Sequence, residues 1–210
     1  SGIYFRDKTK VGWWKKGYPE YFAKMVNCPN WNKIHISINN QVLDLNNCKI
    51  LSYRRELNMK EGWCERKALV LTNNSVKIEI QSKKFISLKR VNIGAINYKI
   101  KVFDDNTNVN ILPCIDINIR NNDSNWNEPF LETFDSISKN NLSIVNSSVI
   151  NSEFEIATFF ETTYSLNNEK VDVNYIKSNN KNLIGSSSEF LLNKNDELTV
   201  FKVGGYLNSN

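Results

Sequence analysis

The sequence predicts an all-β fold, an antiparallel β-sandwich with at most one or two short helices. Three observations carry that expectation. Apolar and polar residues alternate with period two over many short runs, asparagine pairs interrupt those runs, and helical periodicity is weak throughout. Alternation of this kind buries one face of a strand and wets the other. About twelve strands are expected, with turn signals roughly every 8–12 residues, the spacing of a sandwich or barrel.

Taken in order, the chain opens on strand-like residues, Ser1-Gly2-Ile3-Tyr4-Phe5-Arg6. An irregular stretch flanked by glycine and proline follows, Trp13-Trp14-Lys15-Lys16-Gly17-Tyr18-Pro19. Pro19–Val26 has room for a short helix, with Pro19 suited to its first turn. In His35-Ile36-Ser37-Ile38-Asn39 the alternation sets His35 on the face opposite the two isoleucines, as a surface or rim residue. Clear strands are Lys77-Ile78-Glu79-Ile80 and Ile96-Asn97-Tyr98-Lys99-Ile100-Lys101-Val102. Glu128–Ser138 is the second place for a short helix, opened by Pro129. Val171-Asp172-Val173-Asn174-Tyr175 and Leu198-Thr199-Val200-Phe201-Lys202-Val203 read as strands again. Asn-Asn pairs at 39–40, 46–47, 73–74, 121–122, 140–141, 167–168 and 179–180 mark the turns, because asparagine tolerates positive φ and bonds its own backbone.

With 210 residues, 40% apolar and 11% aromatic, the chain has material for one large sandwich domain spanning residues 1–210. No apolar run approaches the roughly 18–20 residues of a membrane span, so no membrane partner is expected. The start shows no signal-peptide pattern, and it suggests a chain cut from something longer. Cys28, Cys48, Cys64 and Cys114 form no C-x-x-C pair and have one histidine to join them. They read as free thiols in a reducing compartment, hence the cytoplasm, rather than as zinc ligands or a disulfide framework. The net charge of +5 is concentrated before residue 25, in Arg6, Lys8, Lys10, Lys15, Lys16 and Lys24 against Asp7 and Glu20. No nucleic-acid-binding signature accompanies it, and no nucleic-acid partner is expected.

Catalytic chemistry is not visible. A hydrolytic triad would have to use His35, the single histidine, and no nucleophile elbow, phosphate loop or dinucleotide fingerprint is present. The neighbouring carboxylates Glu61 and Glu65, Asp104 and Asp105, and Glu153 and Glu155 read as solvated charges. Of these, Glu153 and Glu155 are expected on one face of a strand. The positive signal lies in the aromatics. Trp13 and Trp14 beside Lys15, and Trp126 beside Asp123 and Asn125, combine rings that pack on sugar C–H faces with groups that bond sugar hydroxyls. They are the candidate carbohydrate-binding residues, and the alternative is that each ring anchors its own loop.

Several blocks resemble one family. Lys8-Thr9-Lys10-Val11-Gly12-Trp13-Trp14-Lys15-Lys16-Gly17-Tyr18-Pro19-Glu20-Tyr21-Phe22-Ala23-Lys24, with Asn27-Cys28-Pro29-Asn30-Trp31, resembles the N-terminal domain of glycoside hydrolase family 65, in its maltose phosphorylase-like group. Arg54-Arg55-Glu56-Leu57-Asn58-Met59-Lys60-Glu61-Gly62-Trp63, Ser82-Lys83-Lys84-Phe85-Ile86-Ser87-Leu88 and Asn122-Asp123-Ser124-Asn125-Trp126 follow in the family's order. Asn58 and Lys84 stand where the family usually has Asp or Arg, and residues 177–188 match no family segment. The resemblance implies a super-sandwich of the galactose-mutarotase-like type, normally followed by an (α/α)6 barrel. It implies that the barrel carries the general-acid glutamate and the site for inorganic phosphate, the co-substrate, and that no other cofactor takes part. On that reading the isolated chain is inactive, with no catalytic or metal-binding residue of its own. Its partners are the barrel and an α-glucoside such as maltose, with a homodimer as a further expectation. The rival expectation is an independent carbohydrate-binding module built on Trp13, Trp14 and Trp126.

Overall fold

A computed structural model describes residues 2–10, 12–13 and 16–209. The strands are β1 (Tyr4–Lys8), β2 (Tyr21–Met25), β3 (Ile34–Ile38), β4 (Gln41–Val42), β5 (Lys49–Asn58), β6 (Trp63–Leu71), β7 (Lys77–Ile86), β8 (Ile93–Val102), β9 (Thr107–Asp116), β10 (Leu131–Lys139), β11 (Leu142–Val149), β12 (Glu155–Leu166), β13 (Glu169–Lys170), β14 (Ile176–Lys177), β15 (Leu183–Leu192) and β16 (Glu197–Asn208). The one helical element among the described residues is the 3-10 turn Leu45–Asn47. A large sheet runs β10-β11-β12-β16-β8-β7-β6-β5, with β13 on β12, against a five-stranded sheet β14-β15-β9-β3-β4. A separate hairpin pairs β1 with β2. This is the expected all-β sandwich.

Both segments read as possible helices are strands. Residues 21–25 pair along their whole length with β1, and residues 131–139 pair with β11. A helix this short nucleates poorly in water, whereas each ladder satisfies the backbone at once. The reverse happens at Val171–Tyr175, which is extended but unpaired. Val171, Val173 and Tyr175 still pack on the core, so the alternation reports burial there rather than a ladder. Nine of the ten described non-glycine residues with positive φ are asparagines. Asn39-Asn40 and Asn167-Asn168 close two-residue hairpins with both residues left-handed, the geometry whose twist matches the flanking strands.

The main core lies between the sheets. Ile78, Ile80, Ile100, Val102, Leu198 and Val200 from the large sheet meet Ile36, Ile38, Val109, Ile111 and Leu192 from the small one. Lys202 shares the parity of Leu198 and Val200, so the pleat carries it inward until its exposure is 0%. Its Nζ donates to the carbonyls of Lys33 at 2.8 Å and Cys114 at 2.9 Å and sits 3.9 Å above the Phe160 ring. Burial lowers its pKa to about 7, with Cys114 pulling weakly the other way. Trp31 lies over the cross-strand pair Gly94–Gly204, where side chains would collide with its indole. A second, smaller core forms where Phe5 stacks on Phe130 at 4.3 Å, joined by Val26 and Val149. It fastens the β1–β2 hairpin to one end of the large sheet.

Candidate functional site

At that end the Trp126 loop singled out by the sequence is fastened to the β1–β2 hairpin, whose connecting loop carries Trp13. Asp7 on β1 is wholly buried, and its Oδ2 accepts from Lys24 Nζ at 2.8 Å and from the Asn125 backbone N–H at 2.9 Å. Lys24 also donates to Asn125 Oδ1 at 2.9 Å and to the Asp123 carbonyl. Asn125 Nδ2 donates to the Lys8 carbonyl at 3.2 Å, and Trp126 Nε1 donates to the same oxygen at 2.8 Å. Asn121 ties the loop to the far end of β2 through the Asn27 N–H and the Met25 carbonyl. The polar groups of Asn125 and Trp126 thus hold the loop on the hairpin, while the Trp126 ring stays 48% exposed. Trp13 is 38% exposed and lies 6.0 Å from the Tyr18 ring, in a loop whose Gly12 and Gly17 take φ of 91° and 86°. Trp14 and Lys15 fall outside the described residues.

The carboxylate pairs do not converge. Glu61 accepts from Trp63 Nε1 and Glu65 from Gln81, while Asp104 and Asp105 accept from the backbone N–H groups of Lys77 and Lys194. Glu153 lies in the bend before β12, so it does not share a strand face with Glu155. No group of three metal-ligating side chains forms among the described residues, and none of the helical segments is long and apolar enough to cross a membrane. The cysteines are free, with Cys114 fully buried and the other three partly so.

One concave feature was not anticipated. A cavity of about 830 Å³ opens between the face of β5–β8 and the β3–β4 region. Arg55, Arg66, Ser82, Lys84 and Tyr98 line one wall, and His35 and Asp44 the other. His35 is half-buried where it lines this cavity, and its Nε2 is buried with no hydrogen-bond partner among the described residues. Burial and the nearby Lys33 lower its pKa, so the imidazole is neutral at neutral pH. Burial raises the Tyr98 hydroxyl to about 12, and Arg66 beside it opposes that shift. Alternation along β5 and β7 does set Arg55 and Lys84 on one face each. It does not say that those faces meet.

Three comparisons bear on identity. Residues 1–210 match the model of the glycosyl hydrolase family 65 N-terminal domain. Over 130 residues the chain is 38% identical to a maltose phosphorylase of Bacillus subtilis, a match covering 62% of this chain and 17% of that protein. Over 109 residues it is 29% identical to an α,α-trehalose phosphorylase of Thermoanaerobacter brockii, covering 51% and 14% respectively. A solved structure from the human microbiome, provisionally described as a kojibiose phosphorylase, superposes with a TM-score of 0.77 at 19% identity, covering 99% of this chain and 26% of that one. That likeness establishes the fold. The chain thus spans about a quarter or less of each of these relatives. It belongs to glycosyl hydrolase family 65, as the N-terminal domain of that family.

Proposed function

We propose that this chain is the single-domain, non-catalytic sandwich of an inverting α-glucoside phosphorylase, docked on an (α/α)6 barrel that does the chemistry. The observation that carries the reading is the crowding of features at one end of the large sheet. The β1–β2 hairpin, loop 121–127 and the hairpin tips bearing the exposed apolar residues Met59 (85% exposed) and Leu88 (95% exposed) all lie there. Asn208, at the end of β16, pairs with Ile156 at the same end. Polypeptide continuing past β16 in a longer protein emerges beside these exposed side chains and covers them. On this reading Trp13, Trp14, Lys15 and Trp126 are assigned to the wall of the sugar pocket or to a subunit interface, while Asp123 and Asn125 hold the 121–127 loop in place.

In the reaction this reading assigns, an acid on the barrel protonates the leaving glycosidic oxygen as its bond to the anomeric carbon breaks. An oxygen of inorganic phosphate bonds that carbon from the opposite face, giving β-glucose 1-phosphate and free sugar. The relatives named as phosphorylases and the free thiols support this reading and its cytoplasmic setting. The test is direct. The full-length protein carrying this chain is expected to release glucose 1-phosphate from maltose and phosphate, and the 210-residue chain alone is not. Failure with every α-linked glucobiose would remove the phosphorylase reading.

A further inference from the structure

Four neighbouring strands place Arg55, Arg66, Ser82 and Tyr98 in one row, each the register partner of the next. Lys84 lies two residues along β7 from Ser82, paired with Cys64. All four row members and Lys84 line the cavity. Arginines directly opposite one another on adjacent strands repel, and a third cation beside them adds to the repulsion. The other face of the same strands is balanced: Arg54 pairs with Glu56, and Lys67 with Glu79 at 3.1 Å. On the cavity face, none of the three cations is in an ion pair among the described residues.

Asp44 lines the same cavity but forms no ion pair with them. Its Oδ1 accepts from the Asn46 N–H and side chain at 3.0 Å each, and its Oδ2 accepts from Asn47 at 3.2 Å, so the carboxylate is engaged with its own 3-10 turn. Concentrated repulsion with no compensating partner is what a binding site looks like before its ligand arrives.

We propose that this cavity binds a phosphate dianion, either free or esterified to a sugar. Arg55 and Arg66 supply planar forks that match phosphate oxygens, and Lys84 supplies a compact charge. Ser82 and Tyr98 offer the hydrogen-bonding groups that remain for a sugar. The volume is sufficient for a sugar monophosphate. Every lining residue belongs to this chain, so phosphate binding here and phosphorolysis by a longer protein are tested by separate experiments.

The test is isothermal titration of the 210-residue protein with inorganic phosphate, glucose 1-phosphate and glucose. Both phosphate species are expected to bind at one site and to compete, with affinity falling as salt rises, and glucose alone at least about tenfold weaker. Arg66→Gln and Lys84→Gln are each expected to lower phosphate affinity about tenfold, while Arg54→Gln on the opposite face leaves it unchanged. Arg66→Lys keeps the charge without the fork, so it serves as the second variant should glutamine disturb the sheet, and it also binds more weakly. A preference for glucose 1-phosphate identifies a sugar-phosphate site, and equal binding identifies a free-phosphate site. No binding of either species, binding unchanged by both the Arg66 and the Lys84 substitutions, or glucose binding as tightly as its phosphate overturns the proposal.

Discussion

Replacing Lys202 by Met turns a buried amine into a test of core electrostatics. Lys202 has an ordinary pKa of 10.5 that burial lowers to about 7 in the folded chain. At about 1.4 kcal/mol per pH unit, that gap is worth about 5 kcal/mol between protonation states. The direction follows from linkage: between these two values the unfolded chain holds the proton and the folded one does not, so stability rises with pH. The penalty is full below about pH 7 and gone above about pH 10.5. Burial also raises Cys114 to about 11 and Tyr164 and Tyr206 to about 12. The tyrosines lose stability only above roughly pH 9, but the unfolded thiols ionise from about pH 8, so Cys114, with Cys28 and Cys48 that burial also raises, takes back part of the gain in the upper half of the range. Between pH 7 and 9 Lys202 itself adds about 2 kcal/mol, and the thiol contributions, shared by the native chain and the variant, drop out of their difference.

Met fills the same channel without a charge. It also removes donors from two carbonyls, of which that of Lys33 keeps the Cys114 N–H at 3.1 Å. That loss amounts to about 1–3 kcal/mol and is independent of pH. Urea denaturation at pH 7, 8 and 9 is the assay. The stability of the Lys202→Met variant relative to the native chain should fall by about 2 kcal/mol across the window, because the native chain gains and the variant does not. A constant difference at all three values would refute the reasoning and show that the folded amine titrates normally.

Two further outcomes follow from the packing. Lys24→Met leaves Asp7 buried without its cation, and breaking such a pair costs about 3–5 kcal/mol; thermal melting and faster amide exchange confined to β1, β2 and loop 121–127 would report it, and a loss under about 1 kcal/mol would mean the pair is screened. Gly204→Ala places a methyl group 2.6 Å from the Phe159 carbonyl and 2.7 Å from the Trp31 ring, and is expected to destabilise the fold by about 1–3 kcal/mol in the same melts.

The residues show where reading along the chain succeeds and where it stops. Ile78, Ile80, Ile100, Val102, Leu198 and Val200 were legible as core because parity alone assigns a strand residue to a face. The asparagine turns were legible because few other residues accept positive φ. Val171–Tyr175 misled because extended chain packed on a core alternates whether or not a neighbouring strand pairs with it. Residues 21–25 and 131–139 misled because their partners, β1 and β11, supply the stability that a short local pattern lacks. Trp126 could be marked as notable, but not its bond to the Lys8 carbonyl, 118 residues away in sequence.

By itself the sequence determined the all-β class, the turns, the parity of most strands and the resemblance to a family 65 N-terminal domain. These depend on local backbone preference and on which side of a pleat a residue falls. The tertiary structure alone decided that Arg55, Arg66 and Lys84 share one wall with no ion-pair partner among the described residues, that His35 and Asp44 line the same cavity, and that Lys202 lies in the core. Those facts depend on strand register and on how two sheets stack, so they couple residues with no common local pattern. Electrostatic environment belongs to that second class, because the field at a side chain comes from whichever groups folding brings beside it.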